Sequence, residues 1–187
     1  MLLTIRVCSA KMRRIGKFLI QTPERREAMV IDGDILTSFI RESNEIEGIH
    51  RHALQTEIDI HEKLLGLDEI TISDLMEFVW TVQPGANLRN RLDMNVWIGN
   101  HTPPPGGPEV QEMLDGLLQR ILLRDISPWE AHAIYETIHP FMDGNGRSGR
   151  ALWLWQSIRD GEFVPGRSFL QHWYYSTLDR FRLPKRI

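Results

Sequence analysis

The thirteen residues IHPFMDGNGRSGR, at positions 138–150, bring together a histidine, a carboxylate, two glycines around an asparagine and two arginines. Pro140 disfavours helical geometry at the residue before it, so His139 is expected at or just past a helix end with its imidazole projecting into a cleft. Phe141 then supplies an apolar anchor for the loop. The Gly144-Asn145-Gly146 turn bends the backbone tightly and exposes its N–H groups, and the apolar run ALWLW at 151–155 marks a new helix beginning beside it. Such a turn joins unpaired donors to the positive end of a helix dipole, which suits phosphate. Arg147 and Arg150, spaced i and i+3, are expected on one face leaning back toward the turn, where two guanidinium groups grip neighbouring phosphates. Asp143 stands where it can hold Mg²⁺, which takes one or two carboxylates plus phosphate oxygens. A base, a metal ligand, an anion hole and two arginines equip a site for attack by a hydroxyl on a nucleotide phosphate. Singly, each has a plainer meaning: a structural histidine, a helix-capping aspartate, an ordinary Asn-Gly turn. Their joint occurrence is what points to chemistry.

The elements that must position these residues read mostly as helix. SPWEAHAIYETIHPF opens with Ser127 as N-cap, Pro128 at the first helical position and Glu130 closing a capping box, and Pro140 ends it. From Asp34 as N-cap, Ile35, Leu36, Phe39, Ile40, Ser43 and Ile46 recur at helical spacing until Gly48. Leu54, Ile58, His61, Leu64 and Leu65 continue the pattern through 51–65, and Leu75, Phe78, Val79 and Val82 form a face that Pro84-Gly85 terminates. A further helix resumes near Glu109 with Val110, Met113, Leu114 and Leu117. Between them, Met94, Val96 and Ile98 alternate with Asp93, Asn95 and Trp97 ahead of Pro103–Pro105, which predicts a short strand or hairpin and then an extended loop. The expected fold is all-α: a helical bundle carrying one small β excursion. His132 reads as a structural residue of its helix face, and the six tryptophans (80, 97, 129, 153, 155 and 173) as core or flap packing. His50 and His52 lack a third ligand nearby, so zinc is discounted.

A chain of 187 residues fits one domain able to bury a core without disulfides or metal. Its 22 basic and 25 acidic residues leave a net charge of −3, so bulk electrostatics favours neither nucleic acid nor an anionic membrane. The start lacks the apolar run of a signal peptide or membrane span, and the lone Cys8 fits a reducing compartment, with cytoplasm the default. The basic tail DRFRLPKRI reads as a solvated terminus.

The segment 139–150 resembles the signature of the Fic family, HxFx(D/E)GNGRxxR, at every fixed position. NVWIGNHTPPPGGPEV looks like the family's flap and the proline segment after it, and Ala131-His132 also fits the pattern. The resemblance covers roughly 35–160 and implies one Fic domain over 1–187, with a flap at about 93–102. It implies transfer of AMP from ATP to a Tyr, Thr or Ser hydroxyl of a target protein. His139 would then be the general base, Asp143 the ligand of a Mg²⁺ bridging the phosphates, and Gly144, Asn145 and Gly146 the phosphate cradle, with Arg147 and Arg150 on the departing pyrophosphate. Val96, Trp97, Ile98 and Gly99 of the flap would hold the target backbone by strand addition. SNEIEG at 43–48 resembles the family's inhibitory pattern [S/T]xxxE[G/N], a class II-like arrangement on a helix at about 34–48. It implies that Ser43, Glu47 and Gly48 form an inhibitory element whose glutamate pairs with Arg150 and blocks a productive ATP pose.

Two alternatives stay open on these residues: a hydrolase that removes AMP, with Glu47 positioning water, and a transferase of another nucleotidyl or phosphate-containing group. A non-catalytic helical interaction module is disfavoured because every motif residue is intact. The target, the base specificity, the release signal and the oligomeric state, including a homo-oligomer, are left open.

Overall fold

Helix α6, Asn145–Arg159, runs through the middle of the fold: thirteen of its fifteen residues are buried. A helix buried on all sides needs neighbours on all sides. Those are α5 (Pro128–Ile138), α3 (Ile72–Val82), α1 (Gly33–Ile46) and α2 (Gln55–Leu65), with α4 (Pro108–Leu122) packed behind α5. The structure is a computed structural model that describes residues 18–22, 25–99, 101–165, 174 and 178. Cys8, Trp173 and the basic tail lie outside the described residues. Leu36, Phe39 and Ile40 of α1, Leu75, Phe78 and Val79 of α3, Leu114 and Ile121 of α4, Tyr135 and Ile138 of α5, and Leu152 and Ile158 of α6 share one core. The helical reading therefore holds. Among the described residues no helix is long and apolar enough to cross a membrane.

Several polar residues inside α6 are tolerated because they find partners, as burial requires. Gln156 donates to Ile126 O at 2.8 Å, Arg159 to Ile121 O at 2.6 Å, and Ser148 Oγ to Gly144 O at 2.9 Å.

The boundaries show which local signals decided. Ser127 Oγ accepts from Glu130 N, as expected of the capping box. The N-cap of α1 is Asp32, whose Oδ1 accepts from Asp34 N at 2.8 Å, so Asp34 sits inside the first turn. Helix α2 starts at Gln55 and not at 51, because Glu57 draws the preceding segment into a buried polar knot. Its carboxylate accepts from Leu54 N, from both terminal nitrogens of Arg51 and from Asn44 on α1. Burial pushes that carboxyl up, but the bonds from Arg51, Leu54 and Asn44 outweigh it and bring the pKa to about 2.

The β structure is not where alternation predicted it. Strands β1 (Phe18–Thr22) and β2 (Arg25–Ile31) form an antiparallel hairpin, pairing Phe18 with Ile31 and Ile20 with Met29. Among the described residues, the 93–102 segment holds one bridge, Ile98 to His101, around Gly99 at φ 52°. A lone alternating segment with no neighbouring strand has nothing to complete a ladder with. Trp80 also departs from the expectation of core packing, being 57% exposed.

Two histidines are buried without charge. His61 packs edge-on to Phe78 and its pKa falls to about 4 through burial, which the Glu57 carbonyl only partly offsets. Burial, with the Arg150 charge adding to it, takes His132 to about 3. Both folded values lie below the ordinary 6.5, so the unfolded chain binds protons first and acid favours unfolding. The stabilisation is complete above about pH 6.5 and is lost as pH falls toward 4 and then 3. Unfolding free energy from urea titrations should decline by roughly 1.4 kcal/mol per pH unit for each histidine below about pH 6. A flat profile between pH 6.5 and 4.5 would contradict the neutral burial.

Candidate active site

His139 is the C-cap of α5 and takes the left-handed conformation, φ 51° and ψ 63°, with its N–H donating to Tyr135 O. Pro140 bars the ordinary helical continuation, and a fixed tertiary frame holds the bend. Arg89 N donates to Pro140 O at 2.8 Å and Met142 N to Asn87 O at 2.9 Å. Phe141, fully buried, is the expected anchor, and Asn145 clamps its backbone by accepting from Phe141 N and donating to Phe141 O, both at 2.8 Å. The Asn145 side chain thus shapes the turn.

Gly144, at φ 76°, is the N-cap of α6 and brings no side-chain cap, unlike Ser127, Thr71 and Asp32 on their helices. The first N–H groups of a central helix are therefore turned toward the site. Over them lies a carboxylate from α1. A Cβ built on Gly146 would overlap Glu47 Oε1 and come within 2.9 Å of Arg150 Nη1.

Arg150 joins α6 to α1. It is fully buried, and its Nη2 donates to Glu47 Oε1 at 2.7 Å and to Ser43 O at 2.9 Å, while Nε donates to Ser43 Oγ at 2.8 Å. Its guanidinium also lies 5.3 Å from the centre of the Tyr174 ring. Burial works against the charge, but Tyr174 and Glu47 more than offset it, so the pKa is raised. The remaining donor, Nη1, has no hydrogen-bond partner among the described residues. Gly48, at φ 75°, ends α1 immediately after Glu47, which is the C-cap.

Arg147 does not share Arg150's direction. It is 6% exposed and donates to Val82 O at 2.6 Å and to Gln83 Oε1, at the C-terminal end of α3. Gln83 in turn donates to Asp143 Oδ2 at 2.7 Å, and Asp143 Oδ1 accepts from Gly144 N. Arg147 still carries its charge into the site, where Glu47 and Asp143 both feel it. Asp143 is exposed, and no group of three or more His, Cys, Asp or Glu suited to a metal occurs among the described residues. One exposed carboxylate beside an anion-binding turn fits a Mg²⁺ that completes its shell with phosphate oxygens and water, not an all-protein cage.

The 93–104 segment is tied to His139 by contacts the sequence did not announce. Arg89, fully buried, donates to His139 O at 2.7 Å, Ile138 O at 3.2 Å, Met94 O at 3.0 Å and Pro104 O. His101 Nε2 lies 3.0 Å from Thr137 O. Val96 and Ile98 are half-buried and Trp97 is 78% exposed. Arg89 and Gln83 were missed because a single arginine or glutamine outside a motif carries no spacing signal.

Residues 41–157 match the Fic/DOC family. The chain belongs to that family. Among its relatives are proteins named protein adenylyltransferase Fic from Drosophila persimilis and from Drosophila pseudoobscura pseudoobscura, each 33% identical over 124 aligned residues, covering 51% of this chain and 23% of the relative. The counterpart from Drosophila ananassae is 33% identical with coverage of 51% and 24%. The chain thus spans about a quarter of the length of these curated relatives. For a Fic/DOC protein the expected motif residues His139 through Arg150 are gathered at one place, between the ends of α5, α3 and α1 and the start of α6.

Proposed function

We propose that this Fic/DOC protein is an ATP-dependent protein adenylyltransferase held in check by Glu47, with 1–187 acting as one domain. The observation that carries the reading is the Glu47 carboxylate lying over the Gly144–Gly146 turn and on Arg150: an anion already sits where the motif is built to take one. Relatives named as adenylyltransferases support the reaction class.

In this reading the target hydroxyl oxygen attacks the α-phosphorus of ATP as its proton passes to His139. An O–P bond forms, the bond from the α-phosphorus to the bridging oxygen breaks, and pyrophosphate leaves. The helix N-terminus stabilises the charge that develops on the phosphate oxygens. Arg150 takes the outgoing phosphates once Glu47 withdraws, and Arg147 adds positive potential from its seat on α3. Asp143 would hold Mg²⁺, which supplies charge neutralisation on the phosphates when bound. The flap edge at Val96–Gly99 pairs with the target backbone, and Arg89 keeps that edge in register with His139.

The test is incubation of wild type and Glu47→Gly with ATP labelled at the α- or the γ-phosphate, and separately with an AMP-modified protein. Label from the α position should appear on protein, and both excess chelator and Asp143→Ala should remove it. Label only from the γ position would mean phosphorylation. Release of AMP from the modified protein, lost in Glu47→Gly, would mean the hydrolase, and transfer that persists in chelator would remove the metal.

A further inference from the structure

We propose that Glu136 is a positioning residue for His139, its carboxylate holding the imidazole with Nδ1 protonated and Nε2 presented to the incoming hydroxyl, and that Gly149 on α6 makes the space it needs. The proposal rests on the reading of His139 as the base. Glu136 precedes His139 by one helical turn on α5 and is 5% exposed. Its Oε2 lies 3.9 Å from His139 Nδ1. That is an ion-pair separation, longer than a hydrogen bond, and such contacts commonly tighten only when substrate arrives. A carboxylate so placed favours the Nδ1–H tautomer, which leaves Nε2 as the proton acceptor.

Across the helix interface the room for this carboxylate is specific. A Cβ on Gly149 would stand 2.6 Å from Glu136 Oε1, 2.9 Å from Tyr135 Cδ1 and 3.2 Å from His132 Cε1. An alanine there would displace Glu136 or part α5 from α6. The neighbouring residue on α6 is Arg150, whose charge Glu136 helps to support, and Tyr174 also feels Glu136. Among the described residues, the ionisable groups around the carboxylate are His139, His132 and Tyr135 from its own helix, Arg150 from α6, Tyr174, and Glu47 beyond Arg150. Glu136 lies between His139 and Arg150, but Arg150 draws its support first from Tyr174 and Glu47, so the loss of the Glu136 charge falls chiefly on the imidazole.

The experiment is an NMR titration of the His139 imidazole in the full chain, with His139→Ala assigning the signal, for wild type, Glu136→Gln and Gly149→Ala. Glutamine keeps the shape and an acceptor while removing the charge, so the titration midpoint should move to lower pH by about one unit. Gly149→Ala keeps the charge but displaces it, and should move the midpoint in the same direction. On the Glu47→Gly background, Glu136→Gln should shift the acidic limb of the transfer rate to lower pH by a matching amount and lower kcat with KM for ATP unchanged. Midpoints unaltered in both folded variants would overturn the proposal. Absence of transfer at every pH in Glu47→Gly would instead count against the adenylyltransferase reading, and the titration would still decide the Glu136–His139 pair.

Discussion

His139→Ala, made on the Glu47→Gly background, is expected to lower transfer of AMP by about 10²–10⁴-fold, the span typical of removing a general base. The variant should bind ATP nearly as well as its parent. The reason for the split is geometric: His139 ends α5, while in the proposed reaction phosphate is assigned to the start of α6 and to Arg150, which anchors on α1. Removing the imidazole takes nothing from those donors. The left-handed backbone at residue 139 costs alanine more than histidine, but Arg89 and the Phe141 anchor retain the turn. Equilibrium binding of a non-hydrolysable ATP analogue, measured beside the initial rate, separates the two effects. Transfer near the parent rate would show that the proton goes elsewhere, and an equal loss of binding and rate would make His139 part of the phosphate grip.

Glu47→Gly should raise self-modification or target modification at least tenfold, about 1.4 kcal/mol of released restraint. Arg150 Nη2 divides its donors between Glu47 Oε1 and Ser43 O, so a γ-phosphate has to compete with a charge-assisted bond already made. Deleting the carboxylate also clears the space in front of Gly146. Ser43 remains to hold the guanidinium in place through Nε, so the arginine is kept oriented, with Nη1 and one direction of Nη2 available to an anion. Arg150→Ala on this background should cancel the gain, because the released arginine is its cause. Independent action of the two substitutions on ATP binding in a double-mutant cycle would show that their contact has no functional weight. Loss of AMP removal in Glu47→Gly, with no gain in transfer, would favour the hydrolase.

Much of the local structure was legible from residue types alone. Ser127, Pro128 and Glu130 start α5, Pro140 stops it, and Gly144 starts α6, because capping and φ restrictions act within one turn of chain. The clustering of the 139–150 residues was legible for the same reason, since His139, the glycine turn and Asp143 are neighbours in sequence. The pairing of Glu47 with Arg150 was reached only through a family pattern, and the tertiary structure is what brings those residues, 103 positions apart, within 2.7 Å. Arg147 shows the limit of spacing arguments. Helical periodicity placed it beside Arg150, but the carbonyl of Val82 and the amide of Gln83, offered by α3, drew its guanidinium away. The strand or hairpin signal at 93–98 gave no more than the antiparallel Ile98–His101 bridge, because a longer ladder needs a partner that no local pattern can provide. Sequence by itself thus determined both ends of α5, the start of α6 and the turn between them, all governed by short-range backbone and capping preferences. Which buried charge meets which partner, Arg89 on the His139 carbonyl, Glu136 in the notch of Gly149 and Arg150 on α1, was decided only by packing, since a buried polar group takes whatever donor or acceptor the neighbouring helix presents.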